Sequence, residues 1–121
     1  MRRDQPALLK FRSSQPDLIA VSVITIMEIE FGFERKPAYR KRLQPVYEQI
    51  LAVITTLNYT NADALHTARI RVYLESIGKK TGSYDAQLAG TAVARNLVFV
   101  TNNTTNFEHV PGLVLENWVQ P

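Results

Sequence analysis

Two carboxylates and one amide are the side chains of this sequence best placed for chemistry. Asp85 and Glu28 each stand near the predicted start of a helix, and Asn103 follows an apolar run typical of a buried strand. Carboxylate oxygens are the ligands that Mg²⁺ and Mn²⁺ prefer, and a metal held by them can activate water against a phosphodiester. A structural explanation stays open for both acids. Glu28 could complete a capping box with Thr25, and Asp85 could favour the positive end of its helix.

Other catalytic arrangements find little support. The sequence has no cysteine, and it contains no Gly-rich phosphate loop, HExxH pair or Gly-x-Ser-x-Gly elbow. Its two histidines are His66, in the middle of a predicted helix, and His109, in a loop, and the pattern positions no acid and nucleophile around either of them for catalysis. An unrelated flavodoxin-like domain remains an alternative, although no acidic phosphoacceptor strand is visible.

Apolar runs alternate with helical patterns, which predicts one layered α/β domain over residues 1–121 with a mostly parallel sheet. The predicted strands are 18–24, 53–57, 97–100 and 113–115. The predicted helices are 6–11, one from Thr25 through Phe33, one from Pro37, one from Thr60 to about Ile77, and one that Ser83 caps and Asn96 ends. Gly32 inside a helix suggests close approach to another backbone, and Gly78 is a natural helix stop.

Composition is that of a soluble globular protein, with 45% hydrophobic and 21% charged residues. No apolar run approaches the roughly 20 residues of a membrane span, and no signal-peptide core follows Met1, so we expect a cytoplasmic protein without membrane contact. Nine of the fourteen basic residues lie in the first 42 positions, which suits either a phosphate backbone or a solvated helix face. They are Arg2, Arg3, Lys10, Arg12, Arg35, Lys36, Arg40, Lys41 and Arg42.

Four blocks of the sequence together resemble the PIN-domain ribonucleases, and most closely the VapC toxins of bacterial toxin–antitoxin pairs. The blocks are SVITIMEIEFG at 22–32, GSYDAQLAG at 82–90, VTNNTTNFEHVPGL at 100–113 and LENW at 115–118. The resemblance implies a three-layer PIN-like fold and an endoribonuclease that uses Mg²⁺ or Mn²⁺ on tRNA or other structured RNA. It also implies a homodimer and a small VapB-type antitoxin whose C-terminal segment wraps the active-site groove.

The resemblance also implies roles for individual residues. Glu28 matches the acid of the T-x-x-E-x-x-x-G block, and Asp85 matches the acid of a P-Y-D-type block in which this chain has Ser83. Both are therefore expected to be catalytic metal ligands, and Asn103, where many members have Asp, is expected to orient a water or phosphate. Asn106 also replaces a common acid, which leaves Glu108 as the carboxylate of that loop.

The chain departs from the family at its N-terminus. Members begin with an apolar strand that ends in a metal-binding Asp, whereas this sequence begins where the following helix is expected, and Asp4 has no strand before it. The resemblance therefore predicts that the central strand of the sheet is missing. Without that strand, the strands on either side of the gap would expose unpaired backbone groups. The sheet must therefore form other strand pairs or be completed by another segment of protein. A start assigned too late is the simplest explanation of the departure.

The sequence thus predicts a metal-dependent endoribonuclease toxin neutralised by an antitoxin. The alternative is a catalytically inactive PIN protein that binds antitoxin or RNA without cutting. Contacts with RNA or antitoxin are predicted for the basic residues around the first interhelical turn, namely Arg35, Lys36, Arg40, Lys41 and Arg42. Tyr84, beside Asp85, could stack on a base or pack against the protein.

Overall fold

Five strands form one sheet in the computed structural model, which describes residues 7–11 and 19–117. The strands are β1 (Leu8–Phe11), β2 (Ile19–Ser22), β3 (Thr55–Leu57), β4 (Leu97–Val100) and β5 (Val114–Glu116), in the order β3-β2-β1-β4-β5. The helices are α1 (Val23–Arg35), α2 (Pro37–Val53), α3 (Asn61–Ser76) and α4 (Ser83–Ala94), with a short 3₁₀ turn at Thr104–Asn106. The predicted α/β class is confirmed. No helix within the described ranges is long and apolar enough to cross a membrane.

The centre of the sheet differs most from the prediction. β1 pairs antiparallel with β2 on one side and with β4 on the other, so that Leu9 stands opposite both Ala20 and Phe99. The helix predicted over 6–11 is therefore wrong where the structure describes it. Between β2 and β4 a strand makes two ladders of hydrogen bonds, which one helical turn could not supply. β1 thus fills the central position that the resemblance left without a strand.

The remaining four strands run in one direction. β2 pairs parallel with β3, and β4 pairs parallel with β5, so the sheet is mixed but mostly parallel, as predicted. Three strand boundaries differ from the prediction. β2 ends at Ser22 and not at residue 24, because α1 begins at Val23. β3 begins only at Thr55 because α2 continues through Val53, and β5 lies one residue later than predicted.

Two helix starts also differ from the sequence prediction. Ser22 caps α1, and its hydroxyl accepts a hydrogen bond from the Ile24 N–H at 3.0 Å, so the helix begins two residues before Thr25. The predicted capping box of Thr25 and Glu28 is therefore wrong. Gly82 rather than Ser83 is the N-cap of α4, and no side chain caps that helix.

Several local signals are confirmed. Thr60 and Asp63 form the predicted capping box at the start of α3, with reciprocal hydrogen bonds of 3.0 and 3.3 Å. Gly78 after α3 and Asn96 after α4 adopt left-handed backbone conformations, with φ of 71° and 57°. Pro37 occupies the first turn of α2. These signals act within a few residues, so tertiary packing does not override them.

The core lies between one face of the sheet and helices α3 and α4. Leu9 and Phe99 contribute from the sheet, and Ile70 and Leu88 contribute from the helices. Phe107, after the 3₁₀ turn, packs edge to face on Phe99 at a centroid distance of 4.6 Å. This packing holds α4 firmly against β4.

A buried polar network fastens α3 to α4. Asp63 is fully buried, and Arg95 approaches its two carboxylate oxygens at 3.2 and 2.9 Å while Thr91 donates to it at 3.1 Å. The helices approach closely at Gly90, where an added Cβ would clash with the Thr67 side chain and lie 2.9 Å from the Asp63 carbonyl oxygen. Position 90 therefore requires a residue without a Cβ, because α3 lies too close for one.

The Asp63 network makes stability depend on pH. Burial alone would raise the pKa of Asp63, but hydrogen bonds from Thr60, Arg95 and Thr91 outweigh it and hold that pKa below its usual value. The stabilisation is complete above the unfolded-state pKa of about 4 and is lost as the pH falls through the lower folded-state value. We expect Asp63→Asn to lower the free energy of unfolding by about 2 kcal/mol at pH 7, because Arg95 loses its charged partner.

Urea denaturation at pH 7 and at pH 3 measures this effect. The difference between Asp63→Asn and wild type should shrink at the lower pH. Glu75→Gln, an exposed acid on the same helix, is the matched control and should change little. An equal loss for Asp63→Asn at both pH values would contradict the assignment.

Candidate active site

A groove of about 560 Å³ opens beside α1, between its exposed side and the start of α4. We call it the aromatic groove, and its principal lining residues are Met27, Glu28, Phe31, Gly32, Tyr39 and Tyr84. The topology explains its position. α1 starts at the carboxyl end of β2, and α4 runs back to the start of β4, so the first turns of both helices lie at the same edge of the sheet. Open α/β sheets place ligand sites at this edge.

Asp85 lies at this edge in the first turn of α4, as predicted. Its side chain is buried, with 6% of the residue exposed, and one carboxylate oxygen turns back toward Gly82 at the N-cap. The preceding residue, Tyr84, lines the aromatic groove. Asp85 itself is not among the groove-lining residues. Its buried carboxylate lies near the positive end of the α4 dipole, which favours its charge.

Glu28 lines the groove itself, but its place on the helix differs from the prediction. It is the sixth residue of α1 and lies in the second turn, because the helix begins at Val23. The Thr25 hydroxyl does not cap; it lies 3.5 Å from the Ala7 carbonyl oxygen, to which it donates. The predicted capping box therefore does not form, and Glu28 is a half-buried acid that lines the groove.

Asn103 follows β4 at the carboxyl edge and begins the 3₁₀ turn. It is half-buried, its N–H donates to the Thr101 hydroxyl at 3.1 Å, and its side-chain oxygen accepts a hydrogen bond from Thr105 at 3.4 Å. The structure does not place it among the groove-lining residues. Glu108, in the same loop, is exposed and lies 3.6 Å from His109.

The donor set at this edge suits a hard cation but is small. Among residues 7–11 and 19–117, no group of three or more His, Asp or Glu side chains comes together as a metal cluster. Asp85, Glu28 and Asn103 offer oxygen atoms, which fits Mg²⁺, since that ion commonly keeps several waters and takes one or two carboxylates. β1 contributes no acid to this set. Its one charged side chain, Lys10, pairs with both carboxylate oxygens of Glu116 at 3.1 Å.

The predicted basic residues fall into two groups. Arg40 is held within the protein, since its guanidinium contacts Glu30 at 2.7 Å and Glu34 at 3.0 Å. Arg35, Lys36, Lys41 and Arg42 are exposed around the turn between α1 and α2, and none is paired with a carboxylate within the described part of the chain. The structure therefore separates Arg40 from the four cations that face solvent.

Sequence reasoning missed the aromatic wall of the groove. The predicted helix ran through Phe31 and Phe33 without distinguishing the two, although residues two apart point in different directions from a helix. Both rings line the groove, but Phe33 is buried and packs edge to face on Tyr47, whereas Phe31 is 61% exposed. The two-residue spacing of Phe31 and Phe33 was the sequence signal that could have shown this difference. The close backbone approach predicted at Gly32 is also wrong, because an added Cβ would meet nothing within 4 Å.

Comparisons with known proteins agree with this architecture. A profile of the PIN domain matches residues 2–113. The tRNA(fMet)-specific endonuclease VapC of Salmonella typhimurium is 39% identical over 100 residues, covering 83% of this chain and 75% of the relative. The Shigella flexneri protein of the same name is 36% identical over 117 residues, covering 96% and 88%.

Solved structures give the same result. The crystal structure of DNA-bound VapBC from Salmonella typhimurium superposes with a TM-score of 0.76 at 39% identity, covering 83% of this chain and 75% of that chain. VapBC2 from Rickettsia felis, bound to a promoter DNA fragment, gives 0.77 at 28% identity, covering 83% and 74%.

The open space at Gly32 makes a prediction about stability. Gly32→Ala should raise the free energy of unfolding by about 0.5–1 kcal/mol, because alanine costs less backbone entropy in a helix and has room here. Gly78→Ala is the matched control and should lower it by about 1–2 kcal/mol, since position 78 needs a left-handed backbone. Chemical denaturation of both variants measures the pair. A destabilised Gly32→Ala would mean that the groove is closed at this point.

Proposed function

This chain belongs to the PIN-domain family, and we propose that it is a VapC-type endoribonuclease toxin that hydrolyses RNA phosphodiester bonds. The observation that carries the proposal is the placement of Asp85 and Glu28. Asp85 is buried in the first turn of α4, Glu28 on α1 lines the aromatic groove, and both helices begin at the same edge of the sheet. The relatives named tRNA(fMet)-specific endonucleases, at 36–39% identity, support tRNA or other structured RNA as the substrate.

We assign the metal site to Asp85 and Glu28. Their oxygen donors fit Mg²⁺ or Mn²⁺, which supplies activated water and neutralises charge that develops on the phosphate. Asn103 orients a water molecule or a phosphate oxygen through its amide, which is neutral and so adds no charge to the site. Burial of Asp85 fixes its carboxylate, since a side chain packed at the first turn of α4 has few alternative rotamers.

The substrate backbone is held by the exposed cations at the turn between α1 and α2. Arg35, Lys36, Lys41 and Arg42 lie around that turn, and each phosphate that they neutralise releases counterions. Arg40 acts indirectly. Its single positive charge offsets one of the two negative charges of Glu30 and Glu34 on the same surface.

A cognate VapB-type antitoxin is the proposed protein partner. α2 has no buried residue, and four apolar side chains spaced as one helical face are exposed along it. We call this face the α2 stripe, and it consists of Leu43, Val46, Ile50 and Val53. An amphipathic segment laid on the stripe covers apolar surface that the toxin itself leaves open.

We also propose that the toxin is a homodimer acting in the cytoplasm, where its RNA substrates are found. The surface assigned to the dimer is the outer side of α3, which exposes Leu65, Val72 and Tyr73, together with Ile77 just after the helix. Val72, at 67% exposed, borders a shallow hollow on this helix. Contiguous exposed apolar side chains of this kind mark association surfaces.

A catalytically inactive PIN protein is the second candidate, and one observation favours it. The described residues bring no third acid to the site, and β1 carries Lys10 where the resemblance expects a strand with an Asp. Such a protein would bind RNA or antitoxin without cutting. The two candidates differ in Mg²⁺-dependent cleavage and agree in binding.

Cleavage of pooled tRNA tests the catalytic proposal. With Mg²⁺ present we expect cutting that EDTA abolishes and that Asp85→Asn lowers by at least about 100-fold, because the metal loses a charged ligand. Glu75→Gln, an exposed acid on α3, is the matched control and should cut at the wild-type rate. If the wild-type chain fails to cut but binds antitoxin or RNA, the inactive candidate replaces the enzyme. If Asp85→Asn cuts normally, the assigned site is wrong.

Substitutions that introduce a charge should distinguish the antitoxin surface from the dimer surface. Val46→Glu on the α2 stripe should abolish capture of the co-expressed antitoxin and leave the dimer intact, since a buried unpaired charge is costly at an interface. Val72→Glu on α3 should give a monomer that still captures antitoxin. Size-exclusion chromatography with light scattering measures both. The reverse pattern, or no change in either variant, would contradict the assignments.

A further inference from the structure

We infer that Arg40 is a positioning residue, which holds α2 in a fixed place against α1 and does not itself bind RNA or antitoxin. The inference rests on the proposed function for the identity of these two ligands. It adds the reason why surfaces on two different helices, namely the exposed cations, the groove wall and the α2 stripe, keep one arrangement that a ligand can recognise.

The weak apolar attachment of α2 is the first observation. None of its residues is buried, although its 17 residues make it the longest helix in the described part of the chain. It packs against α1, where the Tyr47 ring meets Phe33 edge to face at a centroid distance of 5.5 Å. Burial of an apolar face is what usually fixes a surface helix. The position of α2 therefore depends strongly on its polar contacts with α1.

Arg40, in the first turn of α2, makes polar contacts with two acids that lie one turn apart on α1. Its guanidinium donates to Glu30 at 2.7 Å and to Glu34 at 3.0 Å, and it lies 5.0 Å from the centre of the Phe33 ring. The other terminal nitrogen donates to Gln44 on its own helix at 3.2 Å. One planar side chain thus joins the two helices through several directional bonds, which the compact ammonium of a lysine could not reproduce.

The same contacts distinguish Arg40 from the cations beside it. Two acids and the face of a ring already occupy its guanidinium, and its side chain is 31% exposed. A phosphate could bind Arg40 only by displacing a carboxylate. Arg42, by contrast, is exposed and pairs with no carboxylate in the described part of the chain. We therefore expect the two arginines to act differently, Arg42 on the phosphates and Arg40 on the helix.

Surfaces assigned to ligands lie on both sides of Arg40 along α2. Tyr39, just before it, lines the aromatic groove, and the exposed cations Lys41 and Arg42 follow it. The α2 stripe begins at the next residue, Leu43. Because α1 forms the rest of the groove wall on this side, a movement of α2 changes both the groove and its relation to the stripe. A ligand that needs the fixed arrangement then binds more weakly, in proportion to the fraction of molecules that keep it.

Hydrogen exchange of the full chain, followed by mass spectrometry, tests the inference without any ligand. Arg40→Gln should speed exchange of the α2 amides at least about tenfold and leave β4 and α4 unchanged, because a helix released from its neighbour unfolds more readily. Arg40→Lys keeps the charge but not the planar fork, so it should lie between wild type and Arg40→Gln. Arg42→Gln removes the unpaired neighbouring cation and is the matched control, which should exchange as wild type does.

The salt dependence of RNA binding separates positioning from direct contact. Fluorescence anisotropy in EDTA measures the binding of labelled tRNA without cleavage. Arg42→Gln should make the slope of log affinity against log salt concentration shallower by about one, as the loss of a phosphate contact does. Arg40→Gln should instead weaken binding about tenfold with the slope unchanged, and it should weaken binding of the antitoxin to a similar extent.

A double-mutant cycle shows whether Arg40 acts through its contact with α1. Glu30→Gln alone should also speed exchange of the α2 amides, because it removes the shorter of the two ion pairs. The double variant of Glu30→Gln and Arg40→Gln should exchange little faster than Arg40→Gln alone, since the second change removes a contact that is already lost. Circular dichroism confirms that each variant is folded.

Three outcomes would overturn the inference. They are wild-type exchange of α2 in Arg40→Gln, a salt slope that becomes shallower in Arg40→Gln as it does in Arg42→Gln, and faster exchange with wild-type affinity for both ligands. The second outcome would make Arg40 a direct phosphate contact. Because the exchange measurement needs neither RNA nor antitoxin, failure of the nuclease proposal leaves its result intact, and a negative exchange result leaves tRNA cleavage as the separate test of the nuclease.

Discussion

The backbone pairing of one short central strand holds the candidate site together. β3 and β2 form one half of the sheet, β4 and β5 form the other, and β1 is the strand that joins them. Glu28 belongs to the helix that follows β2, and Asp85 to the helix that precedes β4. The distance between the two acids therefore depends on β1, which also reaches the groove directly because Ala7, just before it, lines the cavity.

Burial of polar groups then fixes α4 in relation to α3. Gly90 lets the helices approach, and Asp63 binds Arg95 and Thr91 inside the contact. Buried charges cost desolvation energy, but once every oxygen has a partner they allow one arrangement and penalise others. Since Asp85 begins the same helix, this arrangement sets where its carboxylate lies. α2 has no buried residue, and the exposed rings and cations of α1 and α2 are the surface available for ligands.

The features that could be predicted from the sequence are those whose signals act over only a few residues. The Thr60 box, Gly78 and Asn96 act within one turn, and β4 is apolar throughout, so these elements were found correctly. Leu8–Phe11 was predicted as part of a helix because a short apolar run fits the helical and the strand period equally well. The segment forms a strand because it fills the gap between β2 and β4 in the sheet. Glu28 and Asp85 could be nominated by residue type and position, and their role as metal ligands stays a prediction. The groove around Phe31 could not, because its exposure depends on how α1 crosses α2.

The most direct measurement is of β1 itself, by nuclear magnetic resonance of the isotope-labelled chain. Antiparallel pairing predicts a short Hα–Hα contact between Leu9 and one of its two opposed residues, Ala20 or Phe99, and slow amide exchange over the residues of β1. That result would establish how the two halves of the sheet, and with them the two acids, are joined. Fast exchange throughout residues 8–11, with no contact to either neighbour, would contradict the account.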